Sequence, residues 1–341
     1  MERKSIFVFI FFLWASFRGN SFATQAVPTD EEIDSQIKAA QELYQTKLRS
    51  LEGQVNEIFQ INFLKLSKEL QIQMNERRLM SSFLNEIPDP HKREELLVSL
   101  KKEYAGERLD RFIEATAYLE NEIEKDHLFV EKLLSSLEAV LDGVIQKDPI
   151  FRYAFLSPEF RNRYGLILRR VVWQAAQLRN VSAETGPLNV HSVFADKRKV
   201  PFLIKVTPFA FSSPSFLRSI LIHELNHVYF YKEPPFSDAR QFSSAAQQAP
   251  AGILTRYFKE LNPFHPSYQY YLVHEYYSFK SQLLFDEKVR QSPSFRLSEA
   301  DKKHVEKMLD WTYSQLNQKN KDFVQKNPNP PILPLIEKFY R

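Results

Sequence analysis

The sequence predicts a mainly α-helical protein of the α+β class. It reads as an N-terminal helical hairpin or bundle, followed by a domain in which a buried helix accompanies a small β-sheet. Three observations predict this. Glycine is scarce, 7 residues in 341, so few tight turns are available and long helices are favoured over an all-β fold. Apolar residues recur at steps of three and four through much of the first 146 positions, the period of a half-buried helix. Strand character gathers instead in one short stretch, Val200-Pro201-Phe202-Leu203-Ile204-Lys205-Val206.

Taken in order, the chain opens with MERKSIFVFIFFLWASFRGNSFATQA. A basic start, an apolar block from Ile6 to Phe17 and the small residues of Ser21-Phe22-Ala23 make residues 1–23 a secretory signal peptide, cut before Thr24. The block is short for a bilayer span, and membrane attachment is expected only if the leader is retained. The chain has no cysteine, so no disulfide supports it and packing must. Export without disulfides suggests a bacterial protein, periplasmic or secreted.

Residues 24–146 form the N-terminal helical domain. Thr29-Asp30-Glu31-Glu32 is a capping box. Ile33, Ile37, Tyr44, Leu48, Leu51, Val55 and Ile58 then mark a long amphipathic helix, expected to reach about Leu84 with breaks. Pro88-Asp89-Pro90 starts another helix, and after Gly106 helical patterning runs from Leu109 to Val144. The interspersed charges read as solvated helix faces, through which an envelope protein partner is one candidate contact.

Residues 147–293 form the second domain. Ser157-Pro158 opens a helix expected to continue through Leu166, Ile167, Val171, Val172 and Ala176. Gly186-Pro187 and Val200–Val206 suggest short strands, and Ser213-Pro214 caps the helix that follows. A further helix is expected from Tyr268 to about Arg290. In residues 294–341, Ser298 and Asp301 cap a helix expected to reach about Phe323, and Asn327–Pro334 is expected to be extended.

The helix after Ser213 carries SILIHELNHVYFY. Residues four apart share a helix face, so the imidazoles of His223 and His227 can converge on one metal ion. Glu224, at the edge of that face, can reach a water at an open coordination position without being a ligand. Neutral nitrogen ligands, an open position and a nearby base are the requirements of zinc hydrolysis. The competing reading is an ordinary core helix, but burying two histidines and a glutamate without a metal carries a desolvation cost.

His223-Glu224-Leu225-Asn226-His227 resembles the HExxH signature of the zincin metallopeptidases. The resemblance implies a zincin-like catalytic domain, Zn2+ held by His223 and His227, and Glu224 as general base. Metzincins continue as HExxHxxGxxH; Phe230 and Glu233 stand at those positions, which excludes that subclass. Gluzincins take a third ligand from an E-x-x-S/A pattern on a following helix. Here Glu275-Tyr276-Tyr277-Ser278 matches it, and the small Ser278 would let the two helices approach. Asp238, Glu260, His265 and His274 are rival ligands, the last leaving its helix about 100° from Glu275. The thermolysin-like branch has an aspartate where Phe279 stands, which leaves the partner of His223 unassigned.

What the resemblance implies is an exported zinc metallopeptidase acting on a peptide or protein substrate. Tyr270, Tyr271, Tyr277, His265 and His304 are candidates to stabilise the oxyanion, and Val200–Val206 is expected to pair with extended substrate. Val228-Tyr229-Phe230-Tyr231 and Phe236 are candidates to line side-chain pockets. The alternative is a zincin-like scaffold or binding protein of the envelope that no longer turns over. A third reading is a helical envelope protein without metal. Nucleic acid is excluded as a partner on charge: of the net +4, Arg3, Lys4 and Arg18 against Glu2 place +2 in the leader.

Overall fold

Helix α1 (Asp30–Phe59) begins at the expected capping box. Glu32 N–H donates to Thr29 Oγ1 at 3.1 Å, and Thr29 N–H donates back to the Glu32 carboxylate at 2.6 Å. The computed structural model describes residues 27–62, 70, 90–103, 106–173, 183–187, 201–233, 235–236, 266–289 and 295–340. Helix α1 ends at Gln60, which adopts a left-handed conformation with φ of 52°. The expected extension towards Leu84 falls mostly outside the described residues, as do the leader and the Asp89 cap; α2 runs over Pro90–Glu103.

The helical patterning over 109–144 is carried by two helices, α3 (Glu107–Lys125) and α4 (His127–Lys147). Asp126 divides them: its carboxylate caps α4 by accepting from Phe129 N–H and also takes a 2.6 Å bond from Lys47 of α1. Both α3 and α4 pack on α1. Asp148 and Ser157 then cap two short helices, α5 (Pro149–Leu156) and α6 (Pro158–Tyr164), each with proline in its first turn.

The helix opened by Ser157-Pro158 does not continue to Ala176 but stops at Gly165, whose φ of 87° suits glycine. Ile167–Val171 is strand β1. It pairs parallel with β3 (Phe202–Val206), and β2 (Ala183–Pro187) pairs antiparallel with the other side of β3. Ile167 faces Phe202 and Val171 faces Val206 in one pair; Ala183 faces Val206 in the other. Phe202, Ile204 and Val206 alternate inward as a half-buried strand should. Arg169 of β1 is held by Asp142 of α4.

A 3₁₀ turn (Pro208–Ser212) leads into α7 (Pro214–Lys232), capped by Ser213 Oγ accepting from Phe216 N–H at 3.1 Å. Helix α8 (Pro266–Lys288) packs along α7, and α9 (Glu299–Gln315) packs on α8. The helix expected to reach Phe323 breaks at Leu316, because Asn317 caps a new helix, α10 (Gln318–Lys326). Nor is Asn327–Pro334 wholly extended: α11 (Leu333–Phe339) begins inside it with Pro334 in its first turn.

One hydrophobic core runs from Ile33 and Ile37 of α1 through Leu141 and Val144 of α4, Ile204 of β3 and Leu221 of α7 to Ile336 of α11. Polar ties cross it as well. Arg218 of α7 is fully buried, donates to Asp30 at 2.6 Å and lies 3.9 Å over the Phe295 ring. Among the described residues no helix is long and apolar enough to cross a membrane.

Candidate metal centre

Helix α7 is buried on nearly every side, from Phe216 and Leu217 to Val228 and Phe230. The surrounding apolar residues leave its polar side chains in a dry environment, where each needs a partner. Ser219, His223, Asn226 and His227 stand at i, i+4, i+7 and i+8, one continuous face. That face meets α8 running antiparallel: Ser219 touches Gln282, Asn226 touches Ser278, and His227 touches His274.

His223, His227 and Glu275 come together, and these three residues could hold a metal ion. His223 Nε2 is 3.3 Å from Glu275 Oε2, and His227 Nε2 is 3.6 Å from Glu275 Oε1. Ligands about 2.0–2.1 Å from a tetrahedral ion are themselves roughly 3.3–3.4 Å apart, so the spacing fits three ligands of one tetrahedral centre. Both histidines and Glu224 are less than 9% exposed.

The ring nitrogens turned away from this point are engaged. Nδ1 of His223 is 3.1 Å from Gln282 Oε1, and Phe279 packs edge-on against the same ring. Nδ1 of His227 contacts Nδ1 of His274, the two rings stacking at 4.6 Å, and lies 3.3 Å from Ser278 Oγ. Ser278 is fully buried and takes a 3.1 Å bond from Asn226, so the small side chain does mark a close helix approach. His274 therefore stands outside the ligand cluster but directly behind one ligand. The sequence placed it on another face by angle alone, whereas its ring reaches back across α7.

Electrostatics sort these groups. Burial holds His274 down to about 3 and, with the neighbouring His274, holds His227 well below the ordinary imidazole value. Both rings are neutral, as nitrogen ligands and their supports must be. His223 is also disfavoured as a cation by burial, yet it ends above the usual value because the hydrogen bond and charge of Glu275 outweigh that. Burial pushes Glu224 up to about 7, against the opposing pull of His223 and of the Thr185 hydrogen bond.

Thr185 comes from the sheet, which corrects a further expectation. Val200–Val206 was the stretch expected to lie beside the helix with a free edge. Its strand β3 instead sits between β1 and β2, with hydrogen-bonding partners on both sides. The strand that packs on α7 is β2, whose Thr185 hydroxyl donates to Glu224 Oε2. The short strand suggested at Gly186-Pro187 is this β2, but nothing local in AETGP, whose strand propensity is weak, signalled that Thr185 would meet Glu224.

Of the oxyanion candidates, Tyr277 donates its hydroxyl to Asn327 O at 2.6 Å, within the cluster of α8 with α10, and His304 is exposed on α9. Neither serves the buried centre. Asp238, Glu260 and His265 lie outside the described residues, as do the side chains of Tyr270 and Tyr271. Tyr229, Phe230 and Phe236, expected as pocket linings, are buried in core packing. Tyr231 differs: it is partly exposed, one turn after His227, against the rings of His274 and Phe202. Burial, and after it the charge of Glu275, pushes its phenol up to about 12. Scans against protein-family models, curated proteins and solved structures return no match.

Proposed function

We propose that this chain is a zinc metallopeptidase of the HExxH type, with a gluzincin-like third ligand. The observation that carries the reading is the convergence of His223 Nε2, His227 Nε2 and the Glu275 carboxylate beside Glu224. Two imidazoles and one carboxylate with an open fourth position suit zinc among the common divalent ions, and this is a hydrolytic rather than a closed structural donor set. Bound there, zinc would act as a Lewis acid towards water and a scissile carbonyl.

The chain's own residues divide the remaining work. Glu224 takes the proton from the attacking water and later returns it to the leaving amine, a role favoured by a carboxyl poised near neutrality. Thr185 holds Oε2 of Glu224, leaving the other oxygen for water. Burial of the cluster keeps competing water away and strengthens these interactions. With residues 1–23 removed on export, the enzyme would act on peptide or protein substrate in the periplasm or outside the cell.

The test joins metal analysis with one isosteric variant. The full mature chain should contain one zinc, and Glu224→Gln should keep it while hydrolysis of a broad peptide library falls at least about a hundredfold. Stoichiometric zinc with no hydrolysis by the parent protein would favour the scaffold reading. Absence of metal would defeat both.

A further inference from the structure

Metal-ligating histidines usually donate their second ring N–H to an acceptor, most often a carboxylate or backbone carbonyl, which fixes tautomer and ring orientation. Among the described residues no carboxylate stands behind His223: position 279 holds a phenylalanine, whose ring packs against the imidazole instead. The acceptor comes from further along α8. Gln282 is seven residues after Glu275, two turns on, and so presents its amide on the same helix face. Its Oε1 lies 3.1 Å from His223 Nδ1, and its Nε2 donates to Ser219 Oγ at 2.8 Å. Gln282 and Ser219 are each 1% exposed, so water does not compete for these bonds.

We propose that Gln282 is the positioning residue of the first ligand histidine, its amide oriented by Ser219 so that the proton sits on Nδ1 of His223 and the Nε2 lone pair is free for metal. The inference rests on the proposed metal site. An amide has two faces: the oxygen accepts, the nitrogen donates. With the nitrogen committed to Ser219, only the oxygen faces the ring, and a neutral imidazole must then carry its proton on Nδ1. The opposite orientation would put an N–H against Nδ1 and move the ring proton to Nε2, where it would block the ligand position. Because the acceptor is neutral, this support adds no further carboxylate to a pocket that already holds Glu224 and Glu275.

The experiment reads the tautomer directly. Long-range 1H–15N spectra are recorded on the full mature chain carrying Glu275→Ala, which removes the carboxylate 3.3 Å from Nε2 that would otherwise hold a proton there. Metal-free and at a pH where the ring is neutral, they should show His223 protonated at Nδ1. The variants below are read for tautomer in this background and for metal affinity without it. Gln282→Leu should move that proton towards Nε2 and weaken Zn2+ binding, measured by competition with a chelator, by about 10–100-fold. Gln282→Glu is acceptor-only and should restore both the Nδ1 signature and metal affinity. Ser219→Ala, which leaves Gln282 in place but frees its amide, should show the same loss more weakly. If Gln282→Leu fails to fold, Ser219→Ala and the Glu275→Ala chain still decide. A proton on Nε2 in the Glu275→Ala chain, or unchanged tautomer and affinity in the folded variants, overturns the assignment. The metal-free spectrum is independent of peptidase activity, so a chain without hydrolysis but with the Nδ1 signature would defeat the functional reading alone.

Discussion

Thr185 on strand β2 donates its hydroxyl to Oε2 of Glu224, the glutamate between the two histidines of α7. The bond favours the charged carboxylate and so lowers its pKa, against the larger upward effect of burial. Thr185→Val keeps shape and removes the donor. The acidic limb of the rate–pH profile should therefore move to higher pH, and activity at neutral pH should fall about tenfold, the scale of one hydrogen bond to a charged group. Zinc content should not change. A pH profile that stays in place would mean that Thr185 does not act on the base.

The ligands should separate from the base. His223→Ala, His227→Ala and Glu275→Ala each remove a donor from the cluster and should lower zinc occupancy and activity together. Full zinc retention after Glu275→Ala would refute its assignment as third ligand.

His274→Ala should weaken zinc binding by roughly tenfold, although its ring is not in the cluster. It removes the group in contact with His227 Nδ1 and the ring stacked on that ligand. Chelator competition measures the effect, and an affinity equal to that of the parent would show that Ser278 alone suffices.

Stability should respond to pH through Asp148. Its carboxyl is buried, caps α5, accepts from Tyr340 and is pushed up to about 6, mainly by burial. The folded state therefore binds this proton more tightly than the unfolded one. The associated stability is fully present below the ordinary carboxyl value of about 4 and is lost as pH rises through about 6. Asp148→Asn mimics the neutral form and should remove this dependence. Urea unfolding should show it gaining on the parent by on the order of 2 kcal/mol between pH 4 and 7.

The ties that Asp30 of α1 makes to Arg218 of α7 and to Lys147 of α4 should rank by burial. Asp30→Ala takes the bonded carboxylate from the fully buried Arg218 and should cost about 3–5 kcal/mol. Lys147→Ala removes only the partly exposed partner of Asp30 and should cost less than about 1 kcal/mol. Denaturant midpoints distinguish the two, and equal costs would show that the buried arginine does not depend on Asp30.

The sequence by itself determined what is local. The capping box at Thr29, the caps at Ser213 and Ser298, and the four-residue spacing of His223 and His227 are all written within one or two helical turns. There, backbone geometry alone decides which groups face one another. Even Glu275 was legible, because a known spacing pattern singled it out. A boundary was misread where a side chain outcompeted periodicity: Asn317 caps a new helix inside an expected one. Ile167–Val171 fits either period until Gly165 ends the helix and β3 supplies a partner. The tertiary structure decided what depends on how distant elements meet. The order β1-β3-β2 places Thr185, not Val200–Val206, beside Glu224, and the antiparallel packing of α7 on α8 puts Gln282 behind His223 and His274 behind His227. A buried polar group takes its partner from whichever neighbour packing brings within about 3 Å, and no local period records that distance.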